Sequence, residues 1–282
     1  MKRHSGWFAS CDYREAQELS QTGTRNLLKN DPYREIAPWY DIEHDVFADD
    51  LPLIRQLVET IGDPLVELGC GSGRVLGSLA DLEMRLTGVD ISPTMLARAR
   101  HRKGWGAGIE LVLRDMAETG LDTGIFGIVL IALNSLLHAT TSEHQREVMA
   151  EAFRLLDPRG SLYIDIPNPH AGAFEFSDHQ VGVEGSWLLD DGSRITRYGA
   201  RTGNRTAQTI SNTVWYDSIS NSGQLTRIST AFEQRYLYPS ELLLMLEMVG
   251  FSEWQVYGSY DLDPYTDTSA RLIVVAEKTA SG

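Results

Sequence analysis

The sequence is poor in cysteine. Its 282 residues include only Cys11 and Cys70, about sixty residues apart and without a Cys-x-x-Cys pair. Two such cysteines supply neither a disulfide framework nor the ligand spacing of a zinc site. The polar clusters at 41–45 and 165–170 do not have the spacing of a defined metal site either. We therefore expect a protein without disulfides or a bound metal, as is usual in the reducing cytoplasm.

The sequence is also poor in positive charge. It has 25 lysines and arginines against 39 aspartates and glutamates, which gives a formal net charge of −14. A surface of that sign repels a phosphate backbone and lacks the basic footprint of nucleic-acid-binding proteins. We therefore expect no nucleic-acid partner.

Long hydrophobic runs are absent from the sequence as well. No stretch approaches the roughly 18 apolar residues that a membrane-spanning helix needs. Residues 1–31 are polar and have no apolar core of the kind found in a signal peptide. With 42% apolar and 23% charged residues, the composition is typical of a globular protein. These observations predict a cytoplasmic location and no membrane partner.

What the sequence does contain is an alternation of apolar runs and helical patterns between residues 49 and 166. Ser92 followed by Pro93 predicts a helix N-cap, and Ser142 with Gln145 predicts a capping box. The alternation predicts βαβ units on a parallel sheet. We predict strands at 64–68, 85–89, 109–113, 125–132 and 160–166, and helices at 49–61, 73–81, 93–102 and 143–156.

The pattern changes between residues 181 and 237, where β-prone runs are separated by turn signals at Asp191-Gly192, Thr202-Gly203-Asn204 and Ser222-Gly223. Evenly spaced turns predict an antiparallel meander. A helix at 239–249 and strands at 253–259 and 270–277 follow. We therefore predict an N-terminal extension at 1–31, an open α/β domain at 32–180 and 238–282, and a β insertion at 181–237.

Three glycines follow the first predicted strand in the segment LVELGCGSGRV, at positions 69, 71 and 73. Glycines between a strand and a helix let a ligand approach main-chain amides and the helix N-terminus. Dinucleotide-binding proteins use G-x-G-x-x-G, but position 74, where that pattern requires glycine, is arginine. The loop therefore predicts a nucleotide-like ligand, although the pyrophosphate-binding pattern is incomplete.

Three acidic residues refine this interpretation. Asp90 ends the second predicted strand about twenty residues after the glycines, where a carboxylate can accept both hydroxyls of a ribose. Glu67 precedes the glycines and would repel a phosphate, but it suits a ligand with a positive ammonium group. Asp115 follows the third strand, in a position to meet the exocyclic amine of an adenine.

The segments VELGCGSGR, GVDISPTML, LRDM and ALNSLLHATTSEHQ together resemble the class I S-adenosylmethionine-dependent methyltransferases, over about residues 33–277. The resemblance implies S-adenosylmethionine as cofactor and a Rossmann-like, doubly wound sheet of seven strands with one antiparallel strand. In such a protein the insertion at 181–237 would act as a lid over the methyl acceptor. The expected cofactor-binding residues are Tyr33, Glu67, Gly69, Gly71, Gly73, Asp90, Ile91, Met95, Asp115, Met116 and Leu133.

The methyl acceptor is expected to be a small molecule. His138 follows the fourth strand, and its segment resembles that of the enzymes that dimethylate amino sugars on nucleotide carriers. The resemblance implies that His138 and Tyr40 orient and deprotonate an amine acceptor, so N-methylation is favoured slightly over O-methylation. The aromatic residues of the insertion would line an acceptor pocket, pack the insertion against the main domain or form a homodimer contact.

Two other functions are compatible with a glycine loop on this type of sheet. An NAD(P)-dependent oxidoreductase would share the strand order and the ribose-binding acid, although Arg74 and Glu67 argue against it. A non-catalytic protein that binds S-adenosylmethionine would carry the same cofactor residues without any turnover. The sequence favours the methyltransferase over both.

Overall fold

The computed structural model describes residues 31–102, 105–106, 108–171 and 180–279. Residues 1–30 of the predicted N-terminal extension lie outside the described residues. Along the chain the helices are α1 Ala37–His44, α2 Leu51–Ile61, α3 Arg74–Ser78, α4 Pro93–Arg100, α5 Ser142–Leu155 and α6 Pro239–Val249. The strands are β1 Leu65–Leu68, β2 Leu86–Asp90, β3 Ile109–Leu113, β4 Phe126–Ile131, β5 Leu156–Pro167, β6 Val181–Leu188, β7 Arg194–Asn204, β8 Thr209–Ile219, β9 Leu225–Arg235, β10 Glu253–Tyr257 and β11 Arg271–Glu277.

Seven strands form one twisted sheet in the order β10-β11-β5-β4-β1-β2-β3. Strand β11 runs antiparallel to both of its neighbours, whereas the pairs among β1 to β5 are parallel. Strands β1 and β4 are buried along their whole length, because helices cover both faces of the sheet. The predicted fold class is confirmed, including the single antiparallel strand.

The two faces of this sheet have separate hydrophobic cores. On one face α5 and α6 pack against the sheet through side chains such as Val148 and Leu246. On the other face α2, α3 and α4 contribute residues such as Ile54, Leu76 and Leu96. This arrangement leaves the carboxyl ends of the strands open for a site, as in other open α/β sheets.

A second sheet consists of the four antiparallel strands β6-β7-β8-β9. Its inner face packs through Ile195, Val214 and Tyr216 against Ile36 and neighbouring residues before and within α1. The predicted meander is therefore present, but the turn predicted at 202–204 is wrong. Gly203 pairs with Ile210 in the ladder of β7 and β8, and the chain turns after Asn204.

The N-cap predicted for α4 is present, but the capping box predicted for α5 is not. The Ser92 hydroxyl accepts a hydrogen bond from the Met95 amide at 3.1 Å, which confirms the predicted N-cap of α4. The predicted capping box is wrong, because Thr141, not Ser142, caps α5 by accepting from the His144 amide at 3.0 Å. The Gln145 side chain instead donates to the main-chain oxygen of Arg235 at 2.9 Å, which ties α5 to β9. None of the described helices is long and apolar enough to cross a membrane.

Candidate functional site

The glycine loop between β1 and α3 has the left-handed backbone that its composition suggests. Gly69, Gly71 and Gly73 have φ angles of 77°, 54° and 74°. A Cβ at Gly73 would lie 2.5 Å from the Trp105 ring, and a Cβ at Gly69 would lie 2.7 Å from Ser135 Cβ. A Cβ at Gly71 would meet only the end of the Met95 side chain, at 3.5 Å. Gly69 and Gly73 are thus required by packing, whereas Gly71 leaves the backbone bare beside a cavity.

Asp90 lies at the carboxyl end of β2, facing this loop. Its carboxylate accepts hydrogen bonds from the amides of Gly71 at 2.7 Å and Ser92 at 2.8 Å. Burial raises the pKa of Asp90 to about 6, and the nearby charge of Asp31 acts in the same direction. The Asp31 carboxylate itself accepts a hydrogen bond from the Ser92 hydroxyl at 2.8 Å. The carboxylate of Asp90 is therefore fixed at the sheet edge where the sequence predicts a ribose.

Glu67 at the end of β1 is a buried carboxyl group, only 3% exposed. Its Oε2 atom has no hydrogen-bond partner among the described residues. Burial raises the pKa of Glu67 to about 8, although the neighbouring guanidinium of Arg74 lowers it. A buried carboxyl oxygen without a partner is unfavourable in the ligand-free protein. It fits a cationic group of a ligand that lies along the bare backbone at Gly71.

The remaining predicted cofactor residues lie along the same edge of the sheet. Ile91 is 42% exposed after β2, whereas Met95 on α4 is only 2% exposed. Asp115 follows β3, accepts from the amide of Ala117 at 2.8 Å and lies 3.0 Å from Nε2 of His144. Met116 packs at the margin of the core that also contains α5 and α6.

Leu133 follows β4 in an unusual backbone turn. Leu133 and Asn134 have consecutive positive φ angles of 43° and 73°, which non-glycine residues rarely adopt. Arg271 on β11 donates from Nη2 to the Asn134 side-chain oxygen at 2.8 Å and from Nε to Asp165 at 2.7 Å. The Asp165 carboxylate is fully buried in this ion pair. Arg271 therefore holds the turn that presents Leu133 to the site.

Two cavities meet at this turn. The smaller, about 40 Å³, lies along the glycine loop and includes Glu67 and Gly71 in its wall. The larger, about 290 Å³, lies between α1, the turn after β4 and the inner face of the four-stranded sheet. Both cavities are lined by Tyr40, His44 and Leu133. The larger cavity, which we name the acceptor cavity, thus shares a wall with the cavity along the glycine loop.

His138 and Tyr40 both line the acceptor cavity, and the tyrosine hydroxyl that faces the His138 ring is that of Tyr33. The Nε2 atom of His138 lies 3.1 Å from the Tyr33 hydroxyl and 3.3 Å from the Gln234 amide nitrogen. Tyr40 lines the same cavity and stacks on His44, with ring centroids 3.8 Å apart. Burial lowers the pKa of His138 to about 4, so its imidazole is neutral at physiological pH.

The far wall of the acceptor cavity is polar and charged. Arg197 on β7 forms ion pairs with Glu43 on α1 at 2.9 Å and with Glu184 on β6 at 2.8 Å. The Tyr216 hydroxyl donates to Glu43 at 2.7 Å. The sequence did not identify Glu43, His44 or Gln234 as acceptor-site residues, because the cavity forms only when α1 packs on the four-stranded sheet. No group of three or more potential metal ligands occurs among the residues that the structure describes.

Comparison with known proteins agrees with this site. Residues 65–160, which include the glycine loop, Asp90, Asp115 and His138, match a family model described as a methyltransferase domain. The Bacillus subtilis (strain 168) protein YqeM, which is named as a methyltransferase, is 29% identical over 218 residues. That match covers 76% of this chain and 84% of YqeM. The chain is therefore an S-adenosylmethionine-dependent methyltransferase.

Solved structures have the same fold as this methyltransferase. S-adenosylmethionine-bound CalS10, an amino pentose methyltransferase from Micromonospora echinaspora, aligns with a TM-score of 0.63 at 20% identity, over 98% of this chain and 100% of CalS10. The sugar N-methyltransferase KedS8 from Streptoalloteichus sp. aligns with a TM-score of 0.66 at 20% identity, over 87% of this chain and 92% of KedS8.

These comparisons confirm the expected methyltransferase activity and S-adenosylmethionine as the cofactor. The site fits S-adenosylmethionine, because Glu67 Oε2 lacks a partner and the backbone at Gly71 is bare. The oxidoreductase and the non-catalytic binding protein find no support in the family match or in the relatives.

Proposed function

We propose that this methyltransferase methylates the amine nitrogen of a small, hydroxylated acceptor such as an amino sugar. Two proteins of the same fold, CalS10 and KedS8, are named as acting on sugars, and KedS8 on nitrogen. The acceptor cavity of about 290 Å³ is near the lower end of the usual range for small-molecule sites, roughly 300–1,000 Å³. A cavity of this size suits one sugar ring and its substituents.

The lining of the acceptor cavity supports a polar acceptor. Asn212 and Gln234 offer amide groups, Glu43 offers a carboxylate, and Phe232 offers an aromatic face. A few polar groups set among apolar ones are typical of sites that orient a hydroxylated ligand. We further propose that residues 32–180 and 238–282 form the cofactor domain and that 181–237 forms the lid of the acceptor site.

The choice of nitrogen is supported by the likeness in fold to the sugar N-methyltransferase KedS8 and by the buried, neutral His138 in the acceptor cavity. An amine acceptor arrives mainly as an ammonium ion, and a cationic imidazolium in this position would repel it. Because burial holds the pKa of His138 near 4, its ring stays neutral and places no positive charge beside the acceptor. We propose that His138 and Tyr40 contact the amine and orient its nitrogen toward the methyl group.

The cofactor contacts that we propose are those that the sequence predicts. Methyl transfer requires the donor carbon and the acceptor nitrogen to be in line and shielded from water. We propose that Glu67 binds the positive amino group of the cofactor, that Asp90 binds its ribose, and that Asp115 lies at its adenine. Further contacts are proposed for Tyr33, Gly69, Gly71, Gly73, Ile91, Met95, Met116 and Leu133.

The test uses matched acceptors that differ only in nitrogen against oxygen. Glucosamine with glucose, and galactosamine with galactose, are offered free and linked to uridine diphosphate, together with S-adenosylmethionine. Mass spectrometry should find added methyl groups on the amino sugars, and methylation of the hydroxy sugars alone would overturn the proposal. His138→Ala should lower turnover about a hundredfold or more. Its affinity for S-adenosylhomocysteine, measured by calorimetry, should be unchanged, and wild-type turnover would remove the role of His138.

A further inference from the structure

Two histidines line the acceptor cavity, and their hydrogen bonds differ. Nε2 of His138 faces both the Tyr33 hydroxyl and the Gln234 amide nitrogen. An amide nitrogen can only donate, so the single lone pair of this imidazole nitrogen is already engaged. His138 can therefore orient an acceptor, but it must break an existing hydrogen bond before it can take a proton.

His44, at the end of α1, has the opposite arrangement. Its Nδ1 lies 2.9 Å from the main-chain oxygen of Tyr40, which can only accept a hydrogen bond. In the neutral ring Nδ1 therefore carries the hydrogen and Nε2 carries the lone pair. None of the described residues donates a hydrogen bond to that Nε2. The ring stacks on Tyr40 at an interplanar angle of 11°, which fixes its plane.

The position of His44 matches the place where the two reactants must meet. Its side chain lines both the cavity along the glycine loop and the acceptor cavity. Besides His44 only two residues, Tyr40 and Leu133, line both cavities among the described residues. The ring is half-buried, so a proton taken from the acceptor can later pass to solvent.

The groups around His44 have opposing effects on its pKa. Some favour the neutral ring before the reaction, and others stabilise the imidazolium that forms afterwards. Burial is the main cause of its lowered pKa, and the guanidiniums of Arg197 on β7 and Arg74 on α3 act in the same direction. Glu43 on α1 and the carbonyl of Tyr40 oppose them. The C-terminal end of a helix also favours an imidazolium. His44 can thus accept a proton at neutral pH.

We propose that Nε2 of His44 is the general base that removes the proton from the acceptor ammonium. This inference rests on the proposed amine acceptor. One N–H bond of the acceptor breaks, its electron pair stays on the acceptor nitrogen, and the proton forms a new N–H bond at Nε2, which leaves His44 as an imidazolium. The freed nitrogen lone pair is then available to bond to the methyl carbon, while His138 holds the nitrogen in place.

The test compares two substitutions at His44. His44→Phe keeps a ring that can stack on Tyr40 but removes both nitrogens. His44→Asn keeps an amide donor at the position of Nδ1, for the Tyr40 carbonyl, and removes the base. Turnover is measured against pH with the best amino-sugar acceptor of the panel described above. Wild-type kcat/KM should fall on the acid side as His44 becomes protonated.

Both variants should lose about a hundredfold or more in kcat, as expected for removal of a general base, and should lose the acid limb of the profile. Their affinity for S-adenosylhomocysteine, measured by calorimetry, should stay within about threefold of wild type, which is under 1 kcal/mol. His138→Gln, the matched control, should lower turnover but retain the acid limb. Wild-type turnover of an amino sugar by His44→Asn would overturn the inference and leave the proposed function intact.

A second readout does not depend on any acceptor. In the full chain with ¹⁵N-labelled histidine and bound S-adenosylhomocysteine, the nitrogen chemical shifts report which ring nitrogen of His44 is protonated. We expect the hydrogen on Nδ1 at neutral pH, with Nε2 gaining a proton as pH falls. A hydrogen on Nε2 at neutral pH would overturn the inference. Methylation of hydroxy sugars alone would instead overturn the proposed function, whatever the tautomer of His44.

Discussion

Replacing Arg74 by methionine should destabilise the protein by about 3–5 kcal/mol, the usual effect of leaving a buried charge without its partner. Arg74 donates to both carboxylate oxygens of Asp50, at 2.8 and 2.5 Å, and to the main-chain oxygen of Phe47 at 3.1 Å. The Asp50 side chain is fully buried, and that of Arg74 is only 11% exposed. Without Arg74 the carboxylate of Asp50 has lost both its solvent and its cation.

The magnitude is large compared with the total stability of a typical protein, about 5–15 kcal/mol. The free energy of unfolding typically falls by about 1–3 kcal/mol for each molar of urea, so the urea midpoint of unfolding should fall by at least about 1 M. A matched control is Arg55→Met. Arg55 contacts both carboxylate oxygens of Asp81 at 3.2 and 2.6 Å, but the Asp81 side chain is 68% exposed, so the loss of this pair should lower the midpoint much less than the loss of Arg74.

The same substitution should weaken cofactor binding through Glu67. The positive charge of Arg74 lowers the pKa of Glu67, so Arg74→Met should raise that pKa above about 8 and make it harder for Glu67 to ionise beside a cationic ligand. The double variant Asp50→Leu/Arg74→Met should regain stability, because no unpaired charge is left buried, but not the affinity for S-adenosylmethionine. If Arg74→Met destabilises the protein no more than Arg55→Met, the reasoning about buried charge is refuted.

Three further predictions concern the walls of the two cavities. Because the pKa of Glu67 in the ligand-free fold is about 8, above its usual value near 4.5, its contribution to stability declines as pH rises between those values. Urea unfolding at pH 5 and pH 8 should therefore show Glu67→Gln gaining stability over wild type as pH rises, and an equal difference at both values would contradict this. Gly71→Ala and Gly73→Ala should each lose about 1–2 kcal/mol because of the positive φ. Gly73→Ala should lose more stability than Gly71→Ala, because its Cβ would meet the Trp105 ring. Calorimetry with S-adenosylhomocysteine should show the larger loss of affinity in Gly71→Ala. Arg271→Met should lower kcat/KM at least tenfold, and Arg271→Lys should recover part of that loss. Asn134→Gly should change the free energy of unfolding by no more than about 1 kcal/mol, because glycine adopts a positive φ without strain. Equal kcat/KM values for wild type and Arg271→Met would show that the turn needs no anchor.

Features that depend on neighbouring residues could be predicted from the sequence. The N-cap at Ser92 followed by Pro93 and the end of α6 at Gly250, whose φ is 116°, are local, and both are confirmed. The capping box failed for an equally local reason, since Thr141 and Ser142 are adjacent hydroxyl residues and only the backbone geometry chooses between them. The turn at 202–204 failed because the β7 and β8 ladder extends through Gly203, and pairing outweighs the turn preference of glycine.

The acceptor cavity could not be predicted in the same way. His138 lies 105 positions after Tyr33, and Gln234 lies 96 positions after His138. The cavity that they share with His44 forms only through the packing of α1 on the four-stranded sheet. His44 belongs to no recognisable motif, and the polar cluster at 41–45 that contains it does not have the spacing of a defined site. The candidate cofactor residues were easier to recognise from the sequence, because a strand, a glycine loop and an acid on the next strand follow one another in a fixed order along the chain.

Because Tyr40, His44 and Leu133 form a wall common to both cavities, we expect a ligand in one cavity to contact side chains that also face the other. A side chain that one ligand shifts changes the free energy with which the second ligand binds. Thermodynamic linkage requires the effect to be mutual and equal in both directions. We therefore expect the affinity of this methyltransferase for its acceptor to depend on whether the cofactor site is filled, so acceptors should be screened against the loaded protein.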